Sequence, residues 1–286
     1  MRISPDGVSR SKPAALIVAH PSHEARLHGW LEAASPQVYI LTDGSGLSGR
    51  PTIARAAAYV EQVGAKPGSV FGRFTDRELY GAILEQEIDL FCDLTDELAG
   101  EIIEKQFDYV VGDAMEGYNP VHDVCRIVVD CAIEAAHKRG RAVGSYDYAM
   151  FELPDSVSDD APERSILLRL DDEVFKRKID AARKHYPELV AELETAIRVD
   201  GSGRLKDYLD ASGQTAAGVT AGLDMYRTER LRPVTAAAIP DWPERPFYEG
   251  RSEAHVQAGH FDRAIKFREH LEPLATALRA HVSEAH

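Results

Sequence analysis

The chain alternates short apolar runs with stretches of helical periodicity. AALIVAH (14–20) is an unbroken apolar run closed by polar residues, the pattern of a strand buried on both faces of a parallel sheet. EARLHGWLEAA (24–34) places Leu27, Trp30 and Leu31 at helical spacing. QVYILTDGSG (37–46) reads as a second buried strand that breaks at Asp43 and Gly44, and TIARAAAYVEQVG (52–64) as a helix stopped by Gly64. SVFGRF (69–74) predicts a third strand, followed by amphipathic helices DRELYGAILE (76–85) and DLFCDLTDELAGEIIEKQ (89–106). FDYVVGDA (107–114) is a fourth strand, HDVCRIVVDCAIEAAHKRG (122–140) a long helix, and AVGSYDYAMFEL (142–153) a fifth strand.

Strands alternating with helices predict an α/β fold, a mostly parallel sheet flanked by helices. Ligands of such sheets sit beyond the carboxyl ends of the strands. Two polar clusters fall there: HPSHE after the first strand and GDAMEGYNPVH after the fourth. They are far apart in sequence, yet this topology can bring them together. The second half is less regular. A polar linker (153–165) precedes a helix over 171–198 broken near Pro187, loops at 200–208 and 211–218, a proline-rich stretch at 232–250 and a helical end at 252–286. The expected organisation is a catalytic domain over 14–198 and a loop-rich, mostly helical C-terminal extension over 199–286 packed on it. No internal repeat is visible.

Composition narrows the function. The 286 residues are 44% hydrophobic, enough for a sizeable core. Net charge is −14, from 47 acidic and 33 basic residues, which argues against nucleic acid and anionic membranes as partners. Three cysteines without CxxC spacing, Cys92, Cys125 and Cys131, argue against a disulfide framework or a cysteine-type zinc site. No apolar stretch reaches membrane-span length and MRISPDGVSRSKP lacks the apolar core of a signal peptide, so the expected location is cytoplasmic. A small-molecule substrate is the expected partner, with self-association left open.

The candidate chemistry lies in VAHPSHEARLHGWL (18–31), where His20 and His23 are three apart and His28 follows. Neutral imidazole is a good ligand for zinc and other first-row ions, and a catalytic zinc site commonly takes three protein ligands. His20 and His23 can supply a pair from one turn, and His122, at the head of the long helix, the third. Spacing alone does not separate this from a turn whose histidines bond the backbone, because the chain holds 11 histidines.

AHPSHE resembles the AHPDDE motif of the PIG-L or LmbE-like family, metal-dependent N-deacetylases of amino sugars and related conjugates. The resemblance continues through VYILTDG, through FDYVVGDAMEGYNPVHDVCRIVVDCAIEAA, and through VFKRKIDAARKHY with its K-x-x-A spacing and following histidine. It covers about residues 14 to 190 and implies a Rossmann-like fold, a bound zinc ion and hydrolysis of an N-acetyl amide on a sugar-like substrate.

The departures from the family pattern lie in the chemistry. The family's first ligand, general base and second ligand fall on His20, Ser22 and His23, and its HPDH segment falls on Asn119-Pro120-Val121-His122. The resemblance therefore implies His20, His23 and His122 as metal ligands, with imidazole replacing one carboxylate. A serine stands where the base is expected, and Asn119 replaces a histidine that supports the transition state. Asp113 and Glu116 become the candidate proton carriers, Glu24 a further one or an orienting group, and Asn119 a donor to a developing oxyanion. A three-histidine site leaves the full charge on the ion and favours acidification of bound water. It also suits Fe²⁺ or another divalent metal, which keeps open a non-hydrolytic biosynthetic step. A non-catalytic binding relative is the third reading. The block with Glu253, His255, His260 and His270 matches no family role, and helix packing, dimer contacts or a lid are the readings for it.

Overall fold

The computed structural model describes residues 12–150, 164–191, 194, 223–224, 226–234 and 245–284. Strand β1 (Ala14–Val18) is the middle one of the five parallel strands in a seven-stranded sheet among the described residues, and all five of its residues are buried. It pairs in parallel with β2 (Gln37–Thr42) on one side and β4 (Tyr109–Asp113) on the other. Edge strand β3 (Lys66–Phe74) extends β2, and β5 (Gly144–Tyr148) extends β4, both in parallel. Strand β7 (Thr228–Pro233) then joins β5 antiparallel, and β6 (Ile166–Arg169) closes that edge antiparallel to β7. The order is β3-β2-β1-β4-β5-β7-β6.

The pleat of β1 divides the core. Ala15 and Ile17 face one cluster with helices α3 (Asp76–Glu85), α4 (Ile88–Glu104), α5 (Pro120–Lys138) and α8 (Glu272–Glu284). Ala14, Leu16 and Val18 face the other, with α1 (His28–Ala34), α2 (Ile53–Gln62) and α6 (Asp172–His185). Burying Leu16, Ile17 and Val18 on both faces contributes about 1.5–3 kcal/mol each, which is why the unbroken apolar run reads as a central strand. Helix α3 starts with a capping box between Thr75 and Glu78, and α5 starts with Asn119 as its cap and Pro120 in its first turn.

Two strands escape the hydrophobic pattern. Ile166–Arg169 is four residues long, and Thr228–Pro233 is a charged segment whose buried positions alternate, one of them being Glu229. Through β7 the C-terminal region contributes a strand to the main sheet. Strand β3 begins earlier than predicted, running through Pro67 and Gly68, which an edge strand tolerates; a side chain at Gly68 would meet the Tyr39 ring. Helix α6 ends at His185 and helical turns resume over 187–191, so the predicted break at Pro187 is present. The helical end predicted over 252–286 consists of two helices among the described residues, α7 (Phe247–Gln257) and α8, with Gly259 in a left-handed conformation and a wide helical turn at Phe267–Leu271 between them. The loops at 200–208 and 211–218, most of the linker at 153–165 and residues 235–244 of the proline-rich stretch lie outside the described residues. No helix among the described residues is long and apolar enough to cross a membrane.

Candidate metal centre

The sheet order reverses between β1 and β4, and the two polar clusters leave their carboxyl ends side by side. After β1 the chain turns sharply at Ser22 (φ +83°) into a helical turn at His23–Leu27. Ser22 occupies the cap position of that turn, but its side chain makes no capping bond. After β4 a loop over 114–119 leads into α5, whose first turn carries His122.

His20, His23 and His122 come together. Their ring centroids lie 5.4 Å (His20–His23), 5.0 Å (His20–His122) and 4.4 Å (His23–His122) apart. Three imidazoles bound tetrahedrally at metal–nitrogen distances of about 2.0–2.1 Å would place their centroids roughly 5 Å apart. Each of the first two rings is oriented from behind. His23 Nδ1 bonds Asp113 Oδ1 at 2.9 Å. His20 Nδ1 meets Asp76 Oδ1 at 2.8 Å and Thr42 Oγ1 at 2.8 Å. A carboxylate behind one ring nitrogen fixes the tautomer that leaves the other nitrogen as a ligand. Burial and the neighbouring His23 and His20 hold the His122 imidazole well below its usual pKa, which favours the neutral, ligand-competent form. Ring spacing and donor chemistry therefore fit a divalent ion. The donor atoms are not already gathered about one point, since no group of three or more His, Cys, Asp or Glu among the described residues forms a ready cluster. His28 is elsewhere: it is buried against Tyr59, with Nδ1 at 2.7 Å from that hydroxyl.

Asp113 is fully enclosed. Its Oδ1 accepts from the Tyr148 hydroxyl at 2.9 Å as well as facing His23, and its Oδ2 accepts from Ala19 N at 2.8 Å. Burial opposes its charge, yet His23, His122 and the Ala19 N–H outweigh that and hold its pKa below the usual carboxylate range. A carboxylate so bonded orients His23; the expectation that it carries protons meets a group with three partners already. Glu24 is also buried, accepts from the Tyr186 hydroxyl, and is pushed up to about 7 by burial. Glu116, half-buried in the 114–119 loop, accepts from Met150 N at 2.8 Å. Asn119 caps α5 through Oδ1, which accepts from Val121 N at 2.8 Å, and its amide nitrogen lies 3.5 Å from His20 Nε2. Asp43 closes its turn by accepting from Ser45 N at 2.9 Å.

Sequence reasoning missed Asp76 and Tyr148. Asp76 lies just past β3 and reads as the first residue of a helix; Tyr148 ends β5. Both occupy carboxyl ends of parallel strands, the one positional signal that could have found them. The C-terminal block also reaches this end of the sheet. Phe247 stacks on Tyr118 (centroids 5.3 Å, planes 4° apart), Tyr248 N donates to Gly117 O at 3.1 Å, and Arg251 Nη1 donates to Tyr118 Oη at 3.0 Å. Glu253 pairs with Arg245, His270 Nδ1 accepts from Lys266 N at 3.0 Å, and His255 and His260 face one another with centroids 5.7 Å apart.

No family model matches the sequence, and no curated protein matches it. Among solved structures, the A40926 pseudoaglycone deacetylase Dbv21 is similar at 20% identity and a TM-score of 0.51, over 81% of this chain and 100% of that one. The zinc-inhibited form of teicoplanin deacetylase Orf2 is similar at 16% identity and a TM-score of 0.48, over 78% of this chain and 97% of that one. The likeness to Dbv21 shows a shared mixed α/β fold. The Rossmann-like expectation for the fold is met.

Proposed function

We propose that this protein is a metal-dependent hydrolase that cleaves an N-acyl amide, an N-acetyl group on an amino sugar or sugar conjugate. The observation that carries the reading is the packing of His20, His23 and His122 at ring spacings of 4.4–5.4 Å, with Asp113 and Asp76 behind two of the rings. The fold shared with Dbv21, a deacetylase, supports the choice of reaction.

His20, His23 and His122 would hold the ion, zinc in the first instance. A divalent ion there would supply Lewis-acid polarisation of the amide carbonyl and would acidify water. The chain's own groups do the rest. Asp113 holds His23, and Asp76 with Thr42 holds His20, so that each ring keeps one tautomer through the reaction. The Asn119 amide, next to His20, donates to the oxygen that gains charge as the carbonyl is attacked. With Asp113 and Asp76 committed to the rings, Glu116 takes the proton from the attacking water and returns it to the leaving amine. Glu24 and Tyr186 fix the His23–Leu27 turn from the buried side.

Protein loaded with zinc is expected to bind it stoichiometrically and to release acetate from members of an N-acetylated amino-sugar panel. His122→Ala is expected to lose both. Full metal occupancy without acetate from any member would refute deacetylation, and iron with oxygen-dependent turnover would favour the non-hydrolytic reading. Failure of the wild type to bind zinc would refute the centre itself.

A further inference from the structure

Helix α7 brings a guanidinium to the loop that leads into α5 and carries Asn119. Arg251 Nη1 donates to Tyr118 Oη at 3.0 Å and the guanidinium carbon lies 5.5 Å from that ring's centroid. Tyr118 immediately precedes Asn119, whose amide lies beside His20. The helix is tied to the same loop by the Phe247–Tyr118 stack and the Tyr248–Gly117 backbone bond, so the position of Arg251 relative to the loop is fixed at three points.

Among the described residues Arg251 has no carboxylate partner; its bond and its ring contact both go to the Tyr118 side chain. This is unusual in a chain of net charge −14. On the same face of the fold Arg245 takes both Glu249 and Glu253. A half-buried guanidinium whose partner is a phenol retains N–H donors in a planar fork suited to carboxylate or phosphate oxygens.

We propose that Arg251, positioned by Tyr118, is a specificity-determining residue that binds an anionic group, carboxylate or phosphate, on the substrate whose amide is cleaved at the histidine cluster. This rests on the hydrolase reading and adds the substrate class to it: an acidic sugar conjugate rather than a neutral one.

The test compares N-acetylglucosamine with N-acetylglucosamine 6-phosphate and N-acetylmuramic acid, which carry phosphate and carboxylate respectively. Binding is measured by calorimetry on metal-free protein, and acetate release separately on zinc-loaded protein. The wild type is expected to prefer at least one anionic compound over the neutral sugar. Arg251→Ala is expected to reduce that preference about 10- to 100-fold, the magnitude of a charge-assisted hydrogen-bond pair. Arg251→Lys, which keeps the charge and loses the fork, is expected to fall between, and Arg55→Ala, at an exposed pair with Glu188, to retain the preference. A purely structural role for Arg251 would lower affinity for charged and neutral compounds alike and leave the ratio unchanged. That result, or a wild type that binds no anionic probe or shows no preference, overturns the proposal. Anionic preference lost in Arg251→Ala without any acetate release would sustain it and refute the deacetylase reading. Acetate released equally from neutral and acidic sugars would do the reverse.

Discussion

Glu229→Gln should be among the most damaging single substitutions in this protein, although it lies on a strand with no obvious sequence signal. Glu229 is fully buried on β7, and its side chain meets Lys178 Nζ at 2.8 Å, with Lys178 only 5% exposed. The same carboxylate accepts from Gly29 N at 3.0 Å and Trp30 N at 2.9 Å, the orphan donors at the start of α1, while Lys178 also donates to Arg26 O at 2.7 Å. Three donors thus converge on two oxygens. Glutamine keeps one oxygen and turns an NH₂ toward a donor, and it leaves the Lys178 cation buried without its counter-charge. Breaking a buried pair from one side costs about 3–5 kcal/mol. Urea unfolding followed by circular dichroism would read the loss. Glu229→Gln with Lys178→Met removes the stranded charge, so the double variant should regain at least half of it, giving a coupling of more than about 1 kcal/mol. A loss below about 1 kcal/mol for Glu229→Gln, or a strictly additive double variant, would refute the view that charge compensation stabilises this joint. The close approach of Glu229 depends on Gly29: a methyl group there would strike Leu170 and crowd Glu229.

Asp113→Asn places an NH₂ against either the Ala19 N–H or the His23 and Tyr148 donors. It should weaken zinc binding about 10- to 100-fold, measurable by competition with a chelator; unchanged affinity would show that Asp113 does not orient His23. Burial lowers the pKa of His28, so the folded state resists its protonation. The stability this contributes is present above about pH 6.5 and is lost as pH falls through the lowered folded value. Thermal melts between pH 7.5 and 5.5 should therefore show a smaller pH slope in His28→Gln than in the wild type, and an equal slope would contradict the assignment. Ser22 holds a left-handed backbone that costs a non-glycine residue roughly 1–2 kcal/mol; Ser22→Gly should raise the unfolding midpoint, and a clear decrease would show that the serine hydroxyl contributes more than the backbone strain removes.

The parallel half of the sheet and the helices around it are legible in the amino-acid pattern, because there burial is local: β1, β2 and β4 are largely apolar runs, α2 and α4 carry one apolar face each, and α5 is buried nearly all round. The resemblance of AHPSHE and NPVH drew attention to His20, His23 and His122 because those residues sit directly at strand and helix ends, where fold class alone predicts convergence. What stands behind these rings depends on the folded chain. Asp113, a candidate proton carrier by sequence, is enclosed by Ala19, His23 and Tyr148; Asp76, the first residue of a helix, faces His20. The antiparallel edge was illegible for a related reason. Its short strands carry charge at buried positions, and the partners that make Glu229 tolerable there come from α1 and α6, distant along the chain. Hydrophobic pattern records which positions leave water, but the pairing of polar groups is a long-range property that exists only once the chain has folded.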